Sequence, residues 1–283
     1  MFTINCNGKI LELDQPVVMG IINCTPDSFY QGHLPLPVVE LVAMAEKMVA
    51  EGAAIIDIGG QSTRPGSKMI SPEEEMDRVL PVIEAIHQKD PAMIISVDTF
   101  YSSVARAASR AGASMVNDIS AGSIDSNMLP TVSALNMPYI AMHMKGSPDT
   151  MQIRPVYGNV VEEVLDFFIG MQEECRKEGI NDLIIDPGFG FGKTIEHNFT
   201  LLRNLSAFRI LGKPVLAGLS RKSTVYKTLG INATEALNGT TVLHTLALLN
   251  GASILRVHDV KEAREAVTLI NAYKKAAPDG SAF

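Results

Sequence analysis

The pattern that decides the fold is clearest in residues 183–193, L-I-I-D-P-G-F-G-F-G-K. A short apolar run ends at a single acid, Asp186, and a proline and three glycines follow it before Lys193. An apolar run bounded by Gly and Pro is typical of a fully buried strand. The stretch therefore predicts a carboxylate at the carboxyl end of a buried strand, on the rim of a sheet.

The glycines of this stretch match neither of the two common phosphate-binding loops. A P-loop has four residues between its first glycine and its Gly-Lys pair, whereas three residues separate Gly188 from Gly192. The alternating glycines also lack the second spacer residue of a dinucleotide-binding loop. On its own, the stretch indicates a flexible turn between a strand and a helix.

The same succession of apolar strand, polar turn and helix recurs eight times along the chain. The predicted strands cover residues 17–22, 53–58, 93–97, 115–116, 138–144, 183–186, 214–219 and 253–255. The predicted helices cover residues 38–51, 102–111, 126–136, 157–179, 196–210, 233–250 and 260–275, and one more begins after Ser71. Strands that are apolar without alternation indicate a parallel sheet covered on both faces.

Eight such units in 283 residues favour an α/β fold of the (β/α)8 TIM-barrel type. The alternative is a doubly wound open sheet. Residues 1–14 predict a short N-terminal β-hairpin around Asn7 and Gly8, which could plug or lid one end of the barrel. No shift in composition marks a boundary, so we expect residues 1–283 to form a single domain.

Composition and charge exclude several classes of function. The chain is 46% hydrophobic with a net charge of −7 and has no basic tract, so neither nucleic acid nor a membrane surface is an expected partner. Its three cysteines, Cys6, Cys24 and Cys175, are widely spaced, which indicates neither a disulfide framework nor a zinc site. With no signal peptide and no membrane-spanning run in the sequence, we expect a cytoplasmic protein.

Polar residues follow most of the predicted strands. In barrels of this type the active site lies at the carboxyl ends of the strands. One polar residue at such a position is usually structural, as a helix cap or a partner for a loop amide. Burying several ionisable groups together is costly unless they are paired or bind a ligand. The residues that converge in this way predict a site for a polar small molecule; they are Asn23, Asp98, Asn117, Asp186, Lys222, Arg256 and His258.

These side chains divide into two kinds of chemistry. The carboxylates of Asp98 and Asp186 and the amide of Asn117 suit a ligand edge that is rich in N–H groups. Lys222 can pair with an acid or a ring carbonyl. Arg256 and His258, with Arg64, suit an anion such as phosphate. Asn23 and Thr63 could add a metal-binding oxygen and a hydroxyl, and a Mg²⁺ ion here would be held mainly by the ligand's own phosphates.

Five segments, taken together and in order, resemble the dihydropteroate synthase family. They are G-I-I-N-C-T-P-D-S-F (20–29), D-I-G-G-Q-S-T-R-P-G (57–66), D-P-G-F-G-F-G-K (186–193), G-L-S-R-K-S (218–223) and R-V-H-D-V (256–260). The resemblance runs from about residue 17 to residue 270. It implies a (β/α)8 barrel, usually a homodimer, that joins p-aminobenzoate to (7,8-dihydropterin-6-yl)methyl diphosphate. The products would be 7,8-dihydropteroate, a folate precursor, and pyrophosphate, and sulfonamides would compete with p-aminobenzoate.

The resemblance also implies a role for individual residues. The pterin would contact Asp98, Asn117, Met142, Asp186, Phe189 and Lys222. The diphosphate and Mg²⁺ would lie at Asn23, Thr63, Arg64, Arg256 and His258, with Asn23 as the metal ligand. The p-aminobenzoate pocket would comprise Phe29, Thr63, Pro65, Phe189 and Ser223. Catalysis would depend on Asp98, Lys222, Arg256 and His258.

The sequence departs from the family pattern at three positions in two loops. Gln61 replaces a residue that is commonly Glu, and Gln31 and His33 replace an Asp and a Gly. Two alternatives from other classes stay open at this point. One is a pterin-binding methyltransferase domain, which should lack the R-V-H and S-T-R-P-G segments. The other is a catalytically inactive barrel that binds pterins.

Overall fold

The computed structural model describes residues 2–25, 36–62, 68–146, 151 and 155–276. Six residues singled out in the sequence lie outside these ranges: Phe29, Gln31, His33, Thr63, Arg64 and Pro65. The described residues contain no helix long and apolar enough to cross a membrane.

The strands and helices alternate along the chain as predicted. The strands are β1 (Thr3–Cys6), β2 (Lys9–Glu12), β3 (Val17–Asn23), β4 (Ile55–Gly59), β5 (Ile94–Asp98), β6 (Met115–Asp118), β7 (Tyr139–Met142), β8 (Leu183–Asp186), β9 (Leu216–Ala217) and β10 (Ile254–Val257). The α-helices are α1 (Val38–Ala50), α2 (Pro72–Lys89), α3 (Ser102–Ala111), α4 (Met128–Leu135), α5 (Val160–Glu178), α6 (Ile195–Arg203), α7 (Ser223–Leu229), α8 (Leu237–Leu249) and α9 (Val260–Lys275).

Eight parallel strands form the barrel. Their order is β8-β7-β6-β5-β4-β3-β10-β9, and a parallel bridge between Ile185 and Val215 joins the two outer strands of this series. The ring confirms the predicted (β/α)8 barrel and rules out the open, doubly wound alternative. Because all eight strands run in one direction, their carboxyl ends meet on one face.

The N-terminal hairpin closes the opposite end of the barrel. Strands β1 and β2 pair antiparallel, and Ile4, Cys6 and Leu11 are buried on the barrel's inner layer. That layer consists of one apolar side chain from each of the eight strands: Met19, Ile55, Ile94, Met115, Ile140, Ile184, Leu216 and Ile254. The hairpin therefore acts as the predicted plug, and the site is left at the carboxyl ends of the strands.

A larger apolar layer lies between the strands and the surrounding helices. Helix α2 shows how sequence sets one of these helices in place. The Ser71 hydroxyl caps it by accepting a hydrogen bond from the Glu74 amide at 3.2 Å, and Pro72 occupies the first turn. Its buried face carries Val79, Val82, Ile83 and Ile86 at helical spacing.

Three predicted elements differ from the observed ones. The helix expected over 196–210 divides into α6 and a 3-10 helix, Leu205–Leu211, and the helix expected over 233–250 begins with a 3-10 turn, Ala233–Glu235. The strand expected over 214–219 is only two residues long. Helix α7 was not predicted, because its sequence S-T-V-Y-K-T-L is dominated by β-branched and aromatic residues of low helix propensity.

Candidate active site

A small polar cavity opens at the carboxyl ends of the strands. It is lined by Asp98, Asn117, Ile119, Met142, Asp186, Phe191, Gly218, Lys222 and Arg256. Strands β5, β6, β8 and β10 supply Asp98, Asn117, Asp186 and Arg256 at or near their last residues, and Lys222 precedes α7. Five of the seven polar residues predicted from the strand ends therefore share one cavity.

Arg256 links two carboxylates across the cavity floor. Its Nε donates to Asp57 Oδ2 at 2.6 Å, and its Nη2 donates to Asp98 Oδ2 at 2.5 Å. The same Asp57 oxygen accepts a hydrogen bond from Asn117 Nδ2 at 3.1 Å. Burial raises the pKa of Asp98 above its usual range, Arg256 opposes the shift, and Asp57 adds to it.

Lys222 and Asp186 line the same cavity. Asp186 Oδ1 accepts the Gly188 amide at 2.8 Å. Lys222 Nζ donates to the Phe189 carbonyl at 2.6 Å and lies 4.7 Å from the centroid of the Phe191 ring. Burial lowers the pKa of Lys222 to about 8, although Asp186 opposes the shift.

His258 lies on the turn after β10. Its Nδ1 is 3.0 Å from the Ser220 hydroxyl, which also accepts the His258 amide at 3.2 Å. The neighbouring turns are tied further by Arg221, which forms a two-point ion pair with Asp259 at 2.8 Å for both contacts. Ser223, the first residue of α7, follows directly after Lys222.

The side chain of Phe189, expected at the ligand, does not line the cavity. The side chain of Phe189 is fully buried in the layer between strands and helices, and only its carbonyl reaches Lys222. Phe191 lines the cavity instead. This placement favours Phe191 over Phe189 for contact with a ligand ring.

Asp57 is the main functional candidate that sequence reasoning missed. It lies inside β4 rather than at its end and is fully buried. The signal was present in the sequence, because an acid within the apolar run I-I-D-I is costly to bury unless a partner meets it.

Asn23 is the residue available to a metal ion. It ends β3, and no hydrogen bond to its side-chain amide is made within the described ranges. The described residues contain no cluster of three His, Cys, Asp or Glu side chains that could hold a metal by themselves. One free amide oxygen without such a cluster fits Mg²⁺, which commonly keeps few protein ligands and binds through substrate phosphates.

A second, larger cavity of about 440 Å³ lies on the other side of Met142. It is lined by Ser120, Ala121, Gly122, Ser123, Ser126, Leu129, Met142, Met144, Phe167, Met171 and Glu174. None of these residues belongs to the charged set at the strand ends. The converging charges, rather than the cavity volume, mark the smaller cavity as the candidate site.

Comparison with known proteins agrees with this architecture. Residues 19–258 match the family model described as a pterin binding enzyme. The dihydropteroate synthase of Escherichia coli K12 is 43% identical over 267 residues, which cover 94% of each chain. That of Haemophilus influenzae is 45% identical over 256 residues, which cover 90% of this chain and 92% of the relative.

Solved structures give the same result. The Yersinia pestis dihydropteroate synthase, crystallised with a sulfonamide drug, superposes with a TM-score of 0.93 at 39% identity, covering 97% of this chain and 100% of the other. The Xanthomonas albilineans enzyme in complex with 7,8-dihydropteroate gives a TM-score of 0.88 at 40% identity, covering 98% and 100%. The chain thus belongs to the pterin-binding enzyme family and, within it, to the dihydropteroate synthases.

Proposed function

We propose that this chain joins p-aminobenzoate to (7,8-dihydropterin-6-yl)methyl diphosphate in the cavity formed by Asp98, Asp186, Lys222 and Arg256. The observation that carries the proposal is that one cavity combines two chemistries. The Asp186 carboxylate and the Lys222 amine line it together with the Arg256 guanidinium, which pairs with Asp57 and Asp98. This arrangement suits a ligand with a donor edge at one end and an anion at the other.

The pterin ring would bind through its donor edge. The 2-amino group and N3–H form a pair of donors that a carboxylate can accept together, and Asp186 is the candidate because its Oδ1 already accepts a backbone amide. Asp98 and Asn117 would meet other ring nitrogens, and Lys222 would meet the ring carbonyl. Met142 and Phe191 would contact the ring faces. Loss of one charge-assisted partner in such a site costs about 2–4 kcal/mol.

Breaking of the C–O bond to diphosphate would come first. The electron-rich dihydropterin can delocalise a methylene cation, so a strong base is not required. Arg256 and His258, with Arg64, would stabilise the departing negative charge, and Asp98 would stabilise the cation. Asn23, with Thr63 nearby, would hold Mg²⁺, which when bound neutralises charge on the diphosphate.

The arylamine would then attack the methylene carbon. Ser223 begins the helix that follows Lys222, so it adjoins the pterin site. Together with Phe29, Thr63 and Pro65, it would form the p-aminobenzoate pocket. Closing the site with these groups would exclude water, which otherwise competes with the amine for the cation.

We also infer a homodimer, a single domain over residues 1–283 and a cytoplasmic location. An exposed apolar stripe on α8 supports the dimer: Val242, Leu246 and Leu249 are 53%, 40% and 40% exposed. Burial of the hairpin against the barrel core supports one domain. Three free, buried cysteines support a reducing compartment.

The test measures pyrophosphate release from the pterin diphosphate with Mg²⁺, with and without p-aminobenzoate. Release that is coupled to formation of 7,8-dihydropteroate is the expected result. Tight pterin binding without release would instead identify an inactive pterin-binding barrel. Methyl transfer to an acceptor in place of pyrophosphate release would identify a methyltransferase domain.

A further inference from the structure

We propose that Lys193 is a positioning residue: it fixes the turn formed by residues 187–192 so that this turn presents the Phe189 carbonyl and the Phe191 ring to Lys222. The inference rests on the proposed pterin site and assigns a role to the lysine that ends the sequence stretch 183–193. It concerns a residue that does not itself touch the ligand.

The amine of Lys193 is buried and surrounded by acceptors. The residue is 3% exposed, and its Nζ donates to the Gly188 and Phe191 carbonyls at 3.0 Å each and to the His143 carbonyl at 3.2 Å. The Nζ atom also lies 2.9 Å from His143 Nδ1. Burial lowers the pKa of His143 to about 3, so the ring is neutral and its Nδ1 can accept this hydrogen bond.

Backbone carbonyls contact this lysine directly, while burial lowers its pKa to about 7 and Asp186 opposes the shift. Within the described ranges Lys193 forms no salt bridge. A buried amine without a carboxylate partner is costly unless its hydrogen bonds are all satisfied. Four acceptors around one nitrogen meet that requirement, and they leave no donor free to bind a phosphate as a P-loop lysine does.

The turn needs such a link because its backbone is pressed against the end of β7. Gly188 has a φ of +71°, and a Cβ atom at this position would lie 1.9 Å from the His143 carbonyl oxygen. The Gly188 and His143 carbonyls both point to Lys193 Nζ. The amine therefore joins the turn to β7 and offsets the repulsion between two carbonyl dipoles.

What the turn presents explains why its position matters for the pterin. Its Gly188 amide donates to Asp186 Oδ1, its Phe189 carbonyl accepts from Lys222, and its Phe191 ring lines the cavity. One short turn therefore makes the three contacts that position Asp186 and Lys222, the two charged groups proposed to bind the pterin. Lys193 stabilises this turn through its hydrogen bonds to the turn carbonyls and to His143.

The test replaces Lys193 by Met, which keeps the length of the side chain and removes every donor. For Lys193→Met we expect binding of the pterin diphosphate, measured by calorimetry, to weaken by about 10- to 100-fold, which corresponds to ~1.4–2.8 kcal/mol. The KM for p-aminobenzoate should change less than threefold. Lys193→Gln, which keeps two N–H donors, should recover part of the lost affinity.

Lys213→Met is the matched control, because Lys213 also donates to a backbone carbonyl, that of Asn181 at 3.3 Å, away from the cavity. A double-mutant cycle with Phe191→Ala adds a second readout. If Lys193 acts through the turn, its replacement should cost less affinity once the Phe191 ring is gone. Should Lys193→Met fail to fold, the cycle is run with Lys193→Gln.

Two results would overturn the proposal. One is a Lys193 variant that binds the pterin diphosphate as tightly as the parent. The other is a loss of affinity that is explained by the loss of folded protein and is equal for both substrates. In that case the loss would also add in full to the loss caused by Phe191→Ala. Because pterin binding is measured without turnover, an inactive parent protein would contradict the proposed function and still leave this test decisive.

Discussion

At the scale of single residues, acids outnumber basic groups in and directly below the cavity. Three acids, Asp57, Asp98 and Asp186, surround two cations, Lys222 and Arg256. Arg256 is shared by two of these acids, and Asp57 also orients Asn117. The missed residue therefore positions two groups that the sequence did identify. Carboxyl groups that are held in place by a shared guanidinium are suited to stabilising a cation that forms beside them.

Replacement of Asp57 by Asn removes the negative charge and keeps the size of the side chain, so it tests the contribution of the charge. We expect kcat/KM for the pterin diphosphate to fall by about 10- to 100-fold, ~1.4–2.8 kcal/mol, because Arg256 loses one of two ionic partners. Steady-state kinetics measure the change. Asp77→Asn, at an exposed position on α2, is the control and should leave kcat/KM unaltered. Unchanged kinetics in Asp57→Asn would show that Asp98 alone orients the guanidinium.

Glu75 leads to a prediction about stability and pH. It is fully buried on α2, its Oε2 accepts from the Thr99 hydroxyl at 3.1 Å, and its Oε1 has no partner within the described part of the chain. Burial raises the pKa of Glu75 to about 8 from an ordinary 4.5, although Thr99 opposes the shift. Between these two values the unfolded chain releases a proton that the folded chain keeps.

Stability should therefore fall as the pH rises from about 4.5 to 8, and Glu75→Gln should remove that part of the dependence. We expect the variant to exceed the parent by about 1–3 kcal/mol at pH 9 and by little at pH 5. Urea unfolding at both values measures this, with the exposed Glu84→Gln as control. If the free energy of unfolding changed with pH equally in parent and variant, Glu75 would not ionise within this range and the prediction would be wrong.

At the scale of elements, Gln61 joins the two ends of the loop after β4. Its Nε2 donates to the Ser62 and Lys68 carbonyls at 2.8 and 3.1 Å, and its Oε1 accepts the Ile70 amide at 2.9 Å. An ionised glutamate could not donate to those carbonyls. The departure from the residue common in the family is therefore suited to this loop, which contains the predicted residues Thr63, Arg64 and Pro65.

Removal of these bonds by Gln61→Ala should weaken use of the second substrate. Loss of three hydrogen bonds, ~1–2 kcal/mol in net effect, should raise the KM for p-aminobenzoate by roughly 5- to 30-fold. Binding of a pterin that lacks the diphosphate should change less than twofold, since Arg64 of this loop is assigned to the diphosphate and the pterin cavity involves other turns. Gln172→Ala removes a single bond to the Leu211 carbonyl and serves as control. An equal loss for p-aminobenzoate and for the diphosphate-free pterin would contradict this division.

The element scale also shows what sequence could and could not predict. Strand ends were predictable, because each apolar run stops where its strand reaches the rim, as at Asp98 and Asp186. The choice between Phe189 and Phe191 was not. Gly188, Gly190 and Gly192 all have positive φ, so the turn follows neither helical nor strand periodicity. Only three-dimensional packing decides which ring faces the cavity.

Neither Asp57 nor α7 was predicted from the sequence, and the reasons are related. A buried acid inside a strand can be recognised as costly, but its partner Arg256 is 199 residues away in sequence. Helix α7 is seven residues long and too short for a helical period to stand out. Long-range pairing and short elements are the features that local patterns do not encode.

At the scale of the whole molecule, α8 carries an exposed apolar stripe. Val242, Leu246 and Leu249 are spaced as i, i+4 and i+7 and so share one side of the helix. The neighbouring α9 adds Leu269 and Tyr273, 70% and 58% exposed. The cavity, by contrast, is built from strands of one chain. We therefore expect the dimer to form through α8 without sharing the pterin site.

Introducing charge into this stripe should separate the subunits. For Val242→Asp combined with Leu246→Asp, we expect the dimer dissociation constant from sedimentation equilibrium to rise at least 100-fold, about 2.7 kcal/mol, because two carboxylates per subunit would be buried without partners. Pterin binding per subunit should stay within threefold. Ile169→Asp, on the exposed side of α5, is the control and should leave the dimer intact. A parent chain that sediments as a monomer would contradict the interface, and a double variant that stays dimeric would assign it to another face.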